Sequence, residues 1–194
     1  MKLCGLTGGV GMGKSTAAEF LRARDAQIAD TDKIARQLVQ PGKPALVEIQ
    51  SAFGKEMISS DGQLRRAELA RIVFADAAAR KKLEEILHPR IRGHWLAQIE
   101  NWKKENCALA VVVIPLLFET RAESRFDKII CVACSASAQR ERLLTRGWNL
   151  EQIRQRIAAQ VPVEQKIARA DFVIWTDGAL EIHAQQIDRI LARL

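Results

Sequence analysis

The 194-residue chain has no tyrosine, and its aromatic rings come from only six phenylalanines and four tryptophans. A surface that stacks successive bases between basic and aromatic side chains has little to build from, so a nucleic-acid partner is not expected. No tract approaches the roughly 18 consecutive apolar residues of a membrane span. The longest, around Ala108–Ile114, is the length of a strand. The first residues run directly into a strand and a glycine-rich loop, so no leader peptide is expected. Cysteine is scarce as well: Cys4, Cys107, Cys131 and Cys134. The pair Cys131 and Cys134 has redox or metal spacing, but no second pair and no nearby histidine completes a site. Reduced thiols in and just after a buried strand are the expectation, as in a cytoplasmic protein.

What is present is an ordinary globular composition, 48% hydrophobic and 27% charged, with a net charge of +7. The length suits one domain, with room for an insertion. The basic residues are scattered along the chain, a balance that suits anionic partners such as phosphorylated small molecules. No apolar stripe demands a partner copy, so a monomer or a weak homo-oligomer is expected.

Lys2–Leu6 reads as a short buried strand, followed by glycines and a helix from Lys14 to about Ala23. Gln27–Ala29 reads as a second strand. From Ile34 to Trp102 the pattern is mostly helical, broken at Gln40-Pro41-Gly42 and Ser60-Asp61-Gly62. Within it, Leu64–Leu87 has helical apolar spacing, and His88-Pro89 reads as an interruption. His88 either binds substrate or only fixes a helix start at Pro89, and proline's place in a first helical turn favours the second role. Leu109–Ile114 and Lys128–Val132 are continuous apolar runs, the pattern of strands buried on both faces of a parallel sheet. Ala136–Thr145 and Leu150–Gln160 read as arginine-rich helices, Phe172–Trp175 as a last strand, and a terminal helix starts near Leu180. Strands alternating with helices predict an α/β fold built on a parallel sheet, with the mid-chain helical block as an insertion.

Gly8-Gly9-Val10-Gly11-Met12-Gly13-Lys14-Ser15 fits G-x-x-x-x-G-K-[ST] at every fixed position, after a strand and at the start of a helix. The glycines let the backbone curl so that successive N–H groups point at phosphate oxygens, and the helix N-terminus adds unpaired donors. Lys14 reaches the β- and γ-phosphates, and the Ser15 hydroxyl ligates magnesium. A flexible glycine turn would account for the glycines but not for Lys-Ser beside them. The loop predicts a nucleoside triphosphate, and leaves ATPase, GTPase and kinase open.

Asp30-Thr31-Asp32 follows the second strand. In an extended segment residues two apart share a face, so both carboxylates can project together near the phosphate loop. One could accept the proton of an attacking hydroxyl while the other, with Ser15, serves magnesium. The alternative is that one of them caps the helix beginning near Ile34. No Asn-Lys-x-Asp segment is present to read guanine. The strand Leu109–Ile114 lacks the terminal aspartate of a Walker B motif and runs into Pro115-Leu-Leu-Phe-Glu119, which weakens the ATPase reading. Arg140, Arg142, Arg146, Arg154 and Arg156 surround Gly147-Trp148-Asn149, a break between two helices. Such a hairpin is either a lid that lays guanidinium groups on a transferring phosphoryl or a solvated charged face with Glu141 and Glu151.

Taken in order, these segments resemble the dephospho-coenzyme A kinase family along nearly the whole chain. The resemblance rests on Gly5–Thr16, Asp30–Arg36, Gly62–Arg66 with Val73-Phe74, Leu87-His-Pro89, Pro115–Glu119, Arg142, Arg146, Arg156 with Gln160, and Ala170–Ile174. The phosphate loop alone is generic; the acidic pair, the His-Pro step and Pro-Leu-Leu-Phe-Glu at this spacing are specific. It implies a P-loop NTPase fold, a doubly wound parallel sheet, with a helical coenzyme A region at about 33–102 and a helical lid at about 138–166. It implies ATP and Mg2+ as cofactors, and transfer of the γ-phosphoryl to the 3′-hydroxyl of dephospho-coenzyme A. Another small-molecule or nucleotide kinase is the alternative. By resemblance, Asp32 is the general base, Lys14 and Arg146 are catalytic, and Arg142 is a phosphate partner. Gly11, Met12, Gly13, Lys14, Ser15 and Thr16 form the nucleotide loop, and Ser15 and Asp30 serve the metal. Two positions depart from many relatives: Thr176 stands where they carry an adenine-side Asn, and Val113-Ile114 where they carry Asp.

Overall fold

A computed structural model describes residues 1–194 and divides them into two compact units, Met1–Asp30 with Glu100–Leu194, and Thr31–Ile99. In chain order the elements begin with β1 (Lys2–Gly8), α1 (Lys14–Arg22) and β2 (Gln27–Asp30). A helical stretch follows: α2 (Thr31–Leu38), α3 (Pro44–Phe53), α4 (Arg66–Ala75) and the long α5 (Ala77–Lys104). Then come β3 (Leu109–Val113), β4 (Lys128–Ala133), α6 (Ala136–Thr145), α7 (Leu150–Ala158), α8 (Val163–Ala168), β5 (Phe172–Trp175) and α9 (Leu180–Leu191).

The first unit is a five-stranded, all-parallel sheet in the order β2-β3-β1-β4-β5. From β1 the chain crosses to the edge strand β2, returns to β3 beside β1, and then adds β4 and β5 on the other side, so the direction of winding reverses next to β1. The crevice outside the carboxyl end of that strand is where open α/β sheets hold ligands. A parallel sheet must be covered on both faces, and alternation along the strands shows how. Cys4, Leu6, Val111, Val113, Ile130, Val132 and Ile174 pack with Ala17, Ala18 and Leu21 of α1 and Ile187 and Ile190 of α9. On the other face a β-carbon at Gly5 would lie 2.6 Å from Leu117 Cδ1, so glycine there admits the Pro-Leu-Leu-Phe segment against the central strand.

The second unit is helical. Its core joins Val39, Ala45, Leu46, Ile49, Met57, Leu69 and Val73, with Leu83, Ile86 and Leu87 of α5 packed against it. Two breaks fall where glycine and proline cluster: Gly42 has φ 80°, and Gly62 has φ 78° beside a single antiparallel bridge between Ile58 and Leu64.

Two expectations are corrected. First, α2 begins at Thr31 rather than near Ile34, so the Asp-Thr-Asp segment is not extended: Asp30 ends the strand and Asp32 lies in the first helical turn. Second, Pro89 does not start a helix but lies inside α5, and the interruption falls instead at Asp76, the C-cap of α4. Proline has no N–H for the carbonyl four residues back. Here the Arg90 guanidinium turns back to donate to the neighbouring Ile86 carbonyl at 2.6 Å and to Glu48 at 2.5 Å. His88 is therefore mid-helix and does not mark a helix start. Val163–Ala168 forms a further short helix, at the end of the segment expected as the helical lid.

Candidate active site

The phosphate loop leaves β1 at Gly8, whose φ is 146°; a β-carbon there would stand 2.1 Å from the Val132 carbonyl oxygen on β4. Gly11 and Gly13 have φ of 76° and 91°, in the region that favours glycine. A β-carbon on Gly11 would meet Leu143 of α6 at 2.9 Å. Gly13 is the N-cap of α1; no side chain caps that end, and its first turn carries no acidic residue. The first N–H groups of α1 thus face the crevice with the positive end of the helix dipole behind them, a seat for an anion.

Lys14 folds over the loop, its ammonium donating to the carbonyls of Gly8 (2.9 Å) and Gly9 (2.8 Å). Ser15 is exposed in the first turn of α1, Thr16 is half-buried beside it, and Met12 is buried. These residues form one loop at the carboxyl end of the central strand. Asp30, half-buried, ends β2 opposite Val113 of β3 and belongs to the same unit. Asp32 is exposed on α2, in the helical unit.

Side chains from the C-terminal third hold the loop in shape. Gln139 of α6 donates to the Val10 carbonyl at 2.7 Å, and Gln160, just past α7, accepts from the Val10 N–H at 3.0 Å. Thr176, after β5, donates its hydroxyl to the Met12 carbonyl at 3.1 Å. Arg142 donates to both the Thr176 hydroxyl (2.9 Å) and its carbonyl. Arg142 is thus committed to the loop after β5, whereas Arg146, at the C-cap of α6, is exposed beside Gly147. The two arginines do not converge. Farther along the hairpin, the Arg156 guanidinium lies 4.0 Å from the centre of the Trp148 ring, and burial lowers its pKa.

A second polar cluster lies on the sheet face opposite α1. Lys166 of α8 is fully buried; its ammonium donates to the Pro115 carbonyl at 2.7 Å and to Glu119 at 2.9 Å. The same Glu119 oxygen accepts from the Val161 N–H at 2.7 Å. The Pro115 carbonyl also takes the Thr7 hydroxyl at 3.4 Å, in the strand that leads into the loop. Nearby, burial pushes the Cys131 thiol up to about 11, against the pull of Lys166 and Lys14, which leaves it protonated and unreactive.

Gln139 and Lys166 were not found from sequence. Each sits among charged and polar neighbours and reads as part of a solvated helix face. Gln160 and Glu119 were marked only as parts of a family pattern.

Comparison with known proteins gives a consistent picture. A family model described as dephospho-CoA kinase matches residues 2–181. The dephospho-CoA kinase of Anaeromyxobacter dehalogenans is 44% identical over 195 residues, covering 100% of this chain and 92% of that protein. A crystal structure from Thermus thermophilus superposes with a TM-score of 0.83 at 32% identity, covering 100% of this chain and 97% of the other. The dephospho-CoA kinase from Campylobacter jejuni superposes with a TM-score of 0.71 at 29% identity, with the same coverage.

Proposed function

From the premise that the chain belongs to the dephospho-CoA kinase family, we propose how its residues divide the reaction among them. The reaction is ATP-dependent phosphorylation of dephospho-coenzyme A at its 3′-hydroxyl, the last step of coenzyme A synthesis. The observation that carries the residue assignment is the phosphate loop at the switch point: an uncapped α1 N-terminus, with Lys14 folded over the glycine carbonyls.

The N–H groups of Gly11 to Thr16 would cradle the β- and γ-phosphates. Lys14 would leave the Gly8 and Gly9 carbonyls for the phosphate oxygens, an exchange of neutral for charged acceptors that favours the bound state. Magnesium, when bound, neutralises charge on the phosphates. The Ser15 hydroxyl and the Asp30 carboxylate are oxygen donors of the kind it prefers, and no group of three or more His, Cys, Asp or Glu side chains forms an all-protein cage. Asp32, in the first turn of α2, would accept the proton of the attacking ribose hydroxyl. Arg146, exposed at the end of α6, would meet the transferring phosphoryl as the α6–α7 hairpin closes, and closure would exclude water as a competing acceptor. Arg142, held by Thr176, would flank the nucleotide from the loop after β5. The helical unit, about 33–102, would hold the coenzyme A moiety. No helix is long and apolar enough to cross a membrane, and four free thiols suit a reducing, cytoplasmic setting.

Steady-state kinetics of Asp32→Asn test the base. Loss of a general base costs about 10²–10⁴ in rate, so kcat should fall by that factor with KM for ATP little changed. A near-full rate in the variant would reassign Asp32 to a structural or metal-binding role.

A further inference from the structure

One peptide of the phosphate loop is held from both sides by side-chain amides. The Val10 carbonyl accepts from Gln139 Nε2 at 2.7 Å, and the Val10 N–H donates to Gln160 Oε1 at 3.0 Å. The orientation of each amide follows from its partner: a carbonyl must meet the NH₂ group and an N–H must meet the oxygen. The two glutamines occupy equivalent places in the hairpin, Gln139 in the first turns of α6 and Gln160 two residues past the end of α7. Between them lies the turn at Gly147, with φ 81° and open space where a β-carbon would stand.

Both roots are themselves fixed. Gln139 is buried, and its own N–H bonds to the Ser135 carbonyl, while the Ser135 hydroxyl caps α6. Next to Gln160, the Val161 N–H is taken by Glu119, which is clasped by the fully buried Lys166. A side chain held at a rigid root can set the orientation of the peptide it touches. Each N–H that must point at phosphate lies within a few residues of Val10.

We infer that Gln139 and Gln160 are positioning residues that jointly fix the Val10 peptide, shaping the phosphate loop for ATP and tying both roots of the hairpin to it. This inference rests on the reading of the loop as the ATP site. Wild-type protein without acceptor-dependent turnover would contradict that reading, whereas the variants below address the clamp alone.

The test is steady-state kinetics on folded Gln139→Met, Gln160→Met and the double variant, each a near-isosteric loss of the amide. A neutral hydrogen bond is worth roughly 0.5–1.5 kcal/mol, so each single change should raise KM for ATP about two- to twelvefold. KM for dephospho-coenzyme A should stay within about twofold, a split that general loosening of the fold would not give. Both amides act on one peptide, so the double variant should fall short of the product of the two singles. Gln152→Ala serves as the control: Gln152 completes the capping box of α7 with Asn149 and bonds only within that turn, so its loss weakens the helix without touching the loop. If Gln139→Met fails to fold, Gln160→Met carries the test alone, because Gln160 is only partly buried. An unchanged KM for ATP in folded Gln160→Met would overturn the inference, as would the same split in Gln152→Ala or a fully multiplicative double variant.

Discussion

Replacing Lys166 by methionine keeps most of its volume and removes its charge. In the native protein its ammonium is fully buried, with Pro115 carbonyl and Glu119 carboxylate at 2.7 and 2.9 Å. The substitution leaves the Glu119 carboxylate with the Val161 N–H as its remaining partner on Oε1, while its other oxygen is buried with no partner. The Pro115 carbonyl keeps only the long Thr7 contact at 3.4 Å. Breaking a buried pair by removing one member costs about 3–5 kcal/mol, because the other charge stays buried and uncompensated. Glu119 is 19% exposed and can recover some hydration, so the lower end, about 3 kcal/mol, is expected. Urea denaturation should show a lowered midpoint at an unchanged slope. Adding Glu119→Gln removes the stranded charge yet keeps the acceptor for Val161, so the double variant should recover a kcal/mol or more, about a third to a half of the loss. A single-variant cost under about 1 kcal/mol, the range of exposed pairs, would refute the reasoning, and so would additivity of the two changes.

Gly8→Ala should destabilise the protein by roughly 3 kcal/mol or more in the same assay, since φ is 146° and the new methyl would stand 2.1 Å from the Val132 carbonyl; a loss under about 1 kcal/mol would contradict the close packing of β1 on β4. His183 is buried, edge-on to Phe20 with ring centroids 5.3 Å apart, and its Nε2 has no partner. Burial, aided by Arg142, lowers its pKa below 6.5, so the unfolded chain takes up the proton first. Stability should therefore be unaffected by this group above about pH 6.5 and decline as pH falls from there towards the folded-state pKa, by at most about 1.4 kcal/mol per pH unit. Relative to wild type, His183→Leu should flatten that decline in acid-range denaturation curves, and an identical slope in the variant would contradict the assignment.

The parts of the fold visible in the sequence were those in which one local signal dominates. Leu109–Val113 and residues 129–133 are unbroken apolar runs because both sheet faces are covered, and the loop at Gly8–Ser15 is legible because Gly8, Gly11 and Gly13 answer a backbone demand. Signals failed where tertiary context overrides local preference. Pro89 sits inside α5 although proline favours a helix start, because the helix packs Leu83, Ile86 and Leu87 on the second core, which a residue-by-residue reading cannot see. The start of α2 at Thr31 was missed because Asp30-Thr31-Asp32 suits a strand end and a helix cap equally. Lys166 was invisible for a different reason. A lysine followed by exposed Ala168 and Arg169 reads as surface, and only the fold brings Glu119 from 47 positions earlier to bury it. The same holds for Gln139 and Gln160, whose common target, Val10, lies more than a hundred residues away.

The most direct test of the central claim is product formation by the purified chain with magnesium ATP and dephospho-coenzyme A, beside a panel of other alcohols that includes nucleosides and small sugars. Acceptor-dependent ADP release with dephospho-coenzyme A alone, and a new phosphate on its ribose 3′-oxygen by phosphorus NMR, is the predicted result. ADP release that ignores dephospho-coenzyme A, or phosphorylation of another acceptor in its place, would contradict it.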